Sequence, residues 1–105
     1  DFLLEHINIK STSRRKTNLR EVRGRVIGTH GRTIELIGEL SDSYITLNDN
    51  IVSVIGPAGR IEIAIHALES LIRGSKQSSV YSYLEKQRKR QLDEDIDLDL
   101  DEEEN

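Results

Sequence analysis

The apolar positions fall into short runs whose period changes several times along the chain, and each change marks an element. Phe2 to Ile9 reads as a strand, with Leu3, Ile7 and Ile9 on one face at period two and Glu5 as a polar intruder. Lys10 to Lys16 is polar and basic and reads as a loop. Asn18 with Glu21 three residues on forms a capping box, in which the Asn side chain takes a free amide and Glu21 reaches back. A short helix follows to about Ile27, with Leu19, Val22 and Val26 at steps of three and four. Gly28 and Gly31 interrupt it. A second short helix carries Ile34, Ile37 and Leu40 at intervals of three, with Gly38 as its weak point.

Ser43 to Leu47 alternates as a strand with Ile45 and Leu47 on one face. Asn48-Asp49-Asn50 tolerates left-handed backbone and turns the chain, and Ile51 to Ile55 returns with Val52 and Val54 on one side. Gly56-Pro57 closes that strand, and Pro57 suits the first turn of the next helix. Ile61, Ala64, Ile65, Leu68, Leu71 and Ile72 mark the strongest amphipathic helix, which Gly74 ends. A last helix over Ser78 to Leu92 buries Val80, Tyr81 and Leu84 and exposes Lys86, Arg88, Lys89 and Arg90. The order is strand, helix, Gly-x-x-Gly, helix, strand, strand, helix, with one more helix at the C-terminus. The expected fold is α+β, three strands with helices on one face in two layers.

Length and composition narrow the picture. At 105 residues with 35% hydrophobic and 4% aromatic side chains, the chain supports one small domain around a thin, aliphatic core. There is no cysteine, which excludes disulfides and thiolate metal sites and fits a reducing compartment, the cytoplasm. No apolar run is long enough to cross a bilayer, so no membrane partner is expected.

Charge changes the picture more. Nine of the nineteen acidic residues fall in 93–105 and none of the fifteen Lys and Arg does. The first 92 residues therefore hold fifteen basic against ten acidic side chains, a net charge of +5, although the whole chain carries −4. A basic body points to an anionic partner. Residues 1–92 are read as the folded domain, and 93–105 as an acidic tail with too little apolar surface to offset its ordering entropy, hence disordered. Counted as a calcium loop, the tail has Leu98 where the turn needs glycine, so an EF-hand is excluded. It either competes with a ligand for the basic face, inserts into a basic partner, or is simply solvated.

The two glycines carry the chemistry. A phosphodiester backbone is bulky and charged, and a loop that grips it needs positions without side chains. Gly28 and Gly31 would let the loop approach the sugar-phosphate, and the helix starting near Arg32 adds a positive dipole end. Arg23, Arg25, His30 and Arg32 on or beside the loop can neutralise phosphates. Val26, Ile27, Ile34, Ile37, Ile45 and Leu47 would floor a groove for unstacked bases, with base-edge contacts along the strand near Ile45. The expected RNA contacts are Arg23, Gly24, Arg25, Ile27, Gly28, Thr29, His30, Gly31, Arg32, Thr33, Ile34 and Ile45. Arg14, Arg15 and Lys16 would extend this surface. Among the tyrosines, Tyr44 is the stacking candidate and Tyr81 sits at core spacing. His6 and His66 stand apart from other ligand types, so neither a metal nor any other cofactor is expected. No nucleophile–base pair or carboxylate pair stands in the folded part, and residue 26 is Val where a nucleotide-hydrolase phosphate loop needs glycine, so no enzyme is expected.

The segment Arg25 to Ile34, the strand Ile51-Val52-Ser53-Val54-Ile55-Gly56 and the helix with Ile61, Ala64 and Leu68 resemble a type I KH domain. Gly24-Arg25-Val26-Ile27-Gly28-x-x-Gly31-Arg32-Thr33, Leu71-Ile72-x-Gly74, Val80-Tyr81 and the basic helix through Leu84 to Arg90 are more similar to the Pno/Dim-type KH proteins of small-ribosomal-subunit assembly. The ending Leu84-Glu85-Lys86-x-Arg88-Lys89-Arg90 resembles the archaeal branch. The resemblance covers residues 1–90. It implies binding of single-stranded RNA, here small-subunit ribosomal RNA near its 3′ end, in a protein that usually has two KH domains. It also implies association with the nuclease that trims that end and, in archaea, with a translation-initiation factor subunit. One KH domain is present, and Thr29-His30 stands where many such loops carry Lys or Arg, which weakens the phosphate grip at neutral pH. The rival expectation is a degenerate KH module that binds a translation or assembly factor instead of RNA.

Overall fold

The computed structural model describes residues 1–13 and 18–104, with side chains to residue 97. Arg14, Arg15 and Lys16 therefore lie outside the described residues. Strands β1 (Phe2–Asn8), β2 (Tyr44–Asn48) and β3 (Ile51–Pro57) make one antiparallel sheet in the order β1-β3-β2. Ile7 pairs with Val52 and Glu5 with Val54 on one side, Leu47 with Val52 and Ile45 with Val54 on the other. Side chains alternate along a strand, so this register gathers Ile7, Ile45, Leu47, Val52 and Val54 on one face, where the helices cover them. Leu4, Ile55 and Tyr44 lie in one row across the opposite face and are exposed.

Helices α1 (Ile9–Thr12), α2 (Leu19–Ile27), α3 (Arg32–Ser41), α4 (Ile61–Ile72) and α5 (Gln77–Glu104) complete the fold, an α+β sandwich of two layers. At its centre α4 buries Ile61, Ala64, Ala67, Leu68, Leu71 and Ile72. Around it α2 contributes Val22 and Val26, α3 Ile37 and Leu40, and α5 Val80 and Leu84. Gly74 ends α4 at φ 109°, its amide donating to Leu71 O at 3.1 Å while Ser75 N reaches Ser70 O at 2.9 Å, the paired bonds of a Schellman cap.

Three elements depart from the sequence expectation. The stretch after Ile9 opens with one helical turn, because the Asn8 side chain accepts from the amides of Lys10 and Ser11 and Ile9 is buried beneath it. Pro57 ends β3 opposite Phe2 rather than starting a helix, and α4 begins four residues later at Ile61. A proline at a strand end forfeits no ladder donor that the sheet needs. The last helix, expected over Ser78 to Leu92, spans Gln77 to Glu104. Residues 77–104 contain neither Gly nor Pro to stop the helix, and Gln91 donates to Asp95 Oδ1 at 3.0 Å, one turn on, across the expected boundary.

Among the described residues one charged side chain is built into the core. Arg60 is 8% exposed, its Nη2 donates to Leu40 O at 2.7 Å, and its Nε lies 3.4 Å from Asp42 Oδ2 without hydrogen-bond geometry. It thus serves a carbonyl at the C-terminus of α3. Replacing Arg60 by Ala leaves that carbonyl unmet and removes the packed side-chain stem, an expected loss of about 2–3 kcal/mol in urea unfolding. A loss below about 0.5 kcal/mol would show that water serves the carbonyl equally well.

Candidate nucleic-acid interface

The Gly-x-x-Gly segment joins α2 to α3, and its backbone explains each residue type. Asn18 caps α2 through Oδ1, accepting from Arg20 N at 3.0 Å and Glu21 N at 3.4 Å, the Asn half of the expected capping box. At the other end Gly28 N donates to Gly24 O at 2.8 Å and closes the last turn. Gly28 has φ 78° and ψ 172°, a conformation reserved for glycine. A Cβ there would lie 2.1 Å from Thr33 Oγ1 and 2.8 Å from Thr33 N. Gly28 is therefore required by the chain's own packing on the first turn of α3. A Cβ on Gly24 or Gly31 would meet nothing within 4 Å.

His30 (φ 57°, ψ 30°) and Gly31 (φ 72°, ψ 13°) are left-handed, and Gly31 N donates to Gly28 O at 3.2 Å. This tight turn leaves Thr29 and His30 exposed at its apex. Directly behind it, α3 starts at Arg32 with no side chain capping its amides. The positive helix end lies directly behind the exposed apex, which suits an anion.

The four expected cations do not converge. His30 and exposed Arg32 stay with the loop. Arg23 reaches the β2–β3 turn, donating from Nη1 to Asn50 Oδ1 at 2.6 Å. Arg25 points to the far side of α2, where a Cβ on Gly74 would stand 3.7 Å from its Nη1. Thr33 is 2% exposed and lies beneath the loop, its hydroxyl 2.9 Å from Tyr81 Oη and accepting from Gln77 Nε2 at 3.1 Å. Gln77 also donates to Arg25 O at 3.3 Å, so α5 holds both ends of the segment.

Of the expected apolar floor, Ile34 and Ile45 are half-buried and line a groove of about 540 Å³ between α3 and β2. Ile27 is 38% exposed beside the loop, whereas Val26 and Ile37 are wholly buried in the core and cannot touch a base. Tyr44, 80% exposed, stands at one end of the groove. Glu35, Glu39 and Asp42 also line it, and sequence reasoning missed them. These carboxylates repel phosphates, so the groove has a loop side suited to a backbone and an acidic, apolar side suited to bases.

Gly38 was also missed as a shaping residue. A Cβ there would sit 2.8 Å from Ser43 O, and one on Gly56 would sit 2.3 Å from Ser43 Oγ. Both glycines therefore let the start of β2 close against α3 and β3. The signal was present as a glycine inside a helical period, which marks close packing as often as weakness.

Comparison with known proteins places these features. Residues 3–89 match the family described as the Eukaryotic type KH-domain (KH-domain type I). The chain is 30% identical over 90 residues to a KH domain-containing protein of Methanocaldococcus jannaschii, covering 86% of this chain and 40% of that one. It superposes with a TM-score of 0.78 and 42% identity on a chain of the crystal structure of the a/eIF2alpha–aDim2p–rRNA complex from Pyrococcus horikoshii, covering 85% of this chain and 48% of that one. Dim2p of the same organism gives 0.73 and 42%, with 81% of this chain and 49% of that one covered. A protein of unknown function from Aeropyrum pernix gives 0.81 and 30%, over 95% and 53% of the two chains. The chain thus spans about half the length of these relatives.

Proposed function

Because the chain belongs to the type I KH-domain family, we propose that it binds single-stranded RNA between the Gly28–Gly31 loop and β2, and does no catalysis of its own. One observation carries this reading. The exposed Thr29-His30 apex leads into the uncapped start of α3, and two residues further on Ile34 lines the groove together with Ile45, so one helix carries an anion site and a base site. About four nucleotides fit such a groove, the phosphates against the loop and the bases toward Ile45. Arg32, His30 and the open face of Gly31 meet the backbone. Ile27 and Ile34 meet sugar and base, and Tyr44 stacks at the end. Arg23, tied to Asn50, sets the width between α2 and the hairpin.

The RNA is proposed to be small-subunit ribosomal RNA near its 3′ end, bound during ribosome assembly in the cytoplasm. The likeness to an archaeal Dim2p solved with rRNA and the initiation-factor α subunit supports this choice. That subunit and the nuclease trimming the RNA end are the proposed protein partners. Among the described residues no helix is long and apolar enough to cross a membrane.

Titration with labelled oligonucleotides from that RNA end tests the reading. Saturable binding is expected, with log affinity falling against log salt at a slope of about −0.7 for each phosphate held, hence about −2 for three contacts. No binding to any single strand at low salt would instead favour a protein-interaction module, with the initiation-factor subunit as the next ligand to try.

A further inference from the structure

Behind the loop, on the side away from the groove, lies a second and larger cleft of about 1100 Å³ between α2 and the α4–α5 turn. Gly28 and Thr29 belong to its wall, so it begins where the groove's loop ends. Three cations line it: Arg25 from α2, and Arg73 and Lys76 from the turn. Against them stand Glu21 in the same wall and Glu69, which meets Arg73 at 3.5 Å across one turn of α4. The balance is positive, in a place to which the groove assigns no role.

The donors there are not all satisfied. Arg25 Nε is buried and has no hydrogen-bond partner among the described residues. Arg25 itself belongs to the cleft wall, so an oxyanion there can take a charge-assisted bond from the accessible part of its guanidinium. The first turn of α5, which opens at Gln77 on the cleft, carries no acidic residue to neutralise its positive end. Gly24 adds width, since its missing side chain leaves open space. Among the described residues Ile72 is the only large apolar one in the wall, and no aromatic ring lines it. The site offers cations and amides without a stacking surface, which is chemistry for a phosphodiester backbone and not for a base.

We infer that this cleft is a second backbone subsite, which holds the phosphates of the same RNA strand as it continues past the loop, without regard to sequence. The inference rests on the groove reading, and extends the length of strand the domain grips.

The test compares a tetranucleotide that fills the groove with octanucleotides carrying four further uridines at the 5′ or the 3′ end. Wild type and the double variant Arg73→Ala, Lys76→Ala are titrated across a range of salt. Both residues are exposed on the turn, so the variant keeps its fold, and Arg73→Lys with Lys76→Arg controls for shape. One of the two octanucleotides is expected to bind wild type more tightly than the tetranucleotide. The Ala variant loses that gain, about 20-fold at 0.1 M salt for two phosphates at about 0.7 decade each, and its salt slope falls by about 1.4. Its affinity for the tetranucleotide is unchanged, and the conservative pair restores the gain. Equal affinity of wild type for both lengths, or an unchanged slope in the Ala variant, overturns the subsite and leaves the groove reading standing. Absence of binding by wild type to every length overturns the groove reading and the subsite with it.

Discussion

Replacing Thr29 and His30 together by Asp is expected to reduce RNA affinity at least about 100-fold while the domain stays folded. Both residues sit exposed at the apex of the loop, and His30 already holds the left-handed backbone that Asp tolerates well. Two carboxylates would stand within a few ångströms of the bound phosphates. At an effective dielectric constant near 20, each such pair repels by up to about 4 kcal/mol at 4 Å, and salt screening reduces this to roughly 1–2 kcal/mol. Two of them account for the expected loss. The same carboxylates lie beside the uncapped N-terminus of α3, where a negative charge is mildly stabilising. Thermal unfolding should thus be unchanged or slightly raised. Circular dichroism showing lost helix would mean that affinity fell through unfolding, and retained affinity in a folded variant would place the RNA elsewhere.

The second large effect is on stability, and it separates the two glycines of the motif. Gly28→Ala puts a methyl group against the hydroxyl, Cβ and backbone nitrogen of Thr33, in a backbone conformation that L-residues avoid. The hydroxyl cannot swing away freely, because Tyr81 and Gln77 hold it. The expected loss is about 3 kcal/mol or more, since strain alone amounts to roughly 1–3 kcal/mol and the contact adds to it. For a domain of this size that lowers Tm by roughly 15 °C. Gly31→Ala meets open space and an ordinary left-handed well, and should lose only about 1 kcal/mol. Equal losses at the two positions, measured by thermal or urea unfolding, would contradict the seating of Gly28 on Thr33.

Much of this was legible in the sequence. The apolar steps of Val22 and Val26, of Ile34, Ile37 and Leu40, and of Ile61 to Ile72 fixed the helices. The alternation at Val52 and Val54 fixed the buried face of β3, and the glycine pair fixed the loop. Periodicity reports that a side chain points inward, but not whether inward means the core or a groove beside it. That is why Ile37 and Val26 were read with Ile34 as groove floor, although they are wholly buried. Contacts between distant residues leave no local trace. Thr33 meets Tyr81 48 positions away, Arg23 meets Asn50 27 away, and Arg60 serves a carbonyl 20 away. The direction of Arg25 depends on where the α4–α5 turn lies, which no window of sequence contains.

The unbroken last helix has an electrical consequence. α5 begins under the loop, carries Lys86, Arg88, Lys89 and Arg90 on its middle turns, and turns acidic from Asp93. At 1.5 Å per residue the acidic stretch starts about 24 Å from Gln77 and ends about 40 Å away. Screening at physiological salt acts over about 8 Å, so along this helix the acids stand several screening lengths from the groove. They instead make the molecule a charged needle, positive toward its body and negative at its tip. For an approaching polyanion such a charge distribution favours arrival with the tip outward and the loop inward.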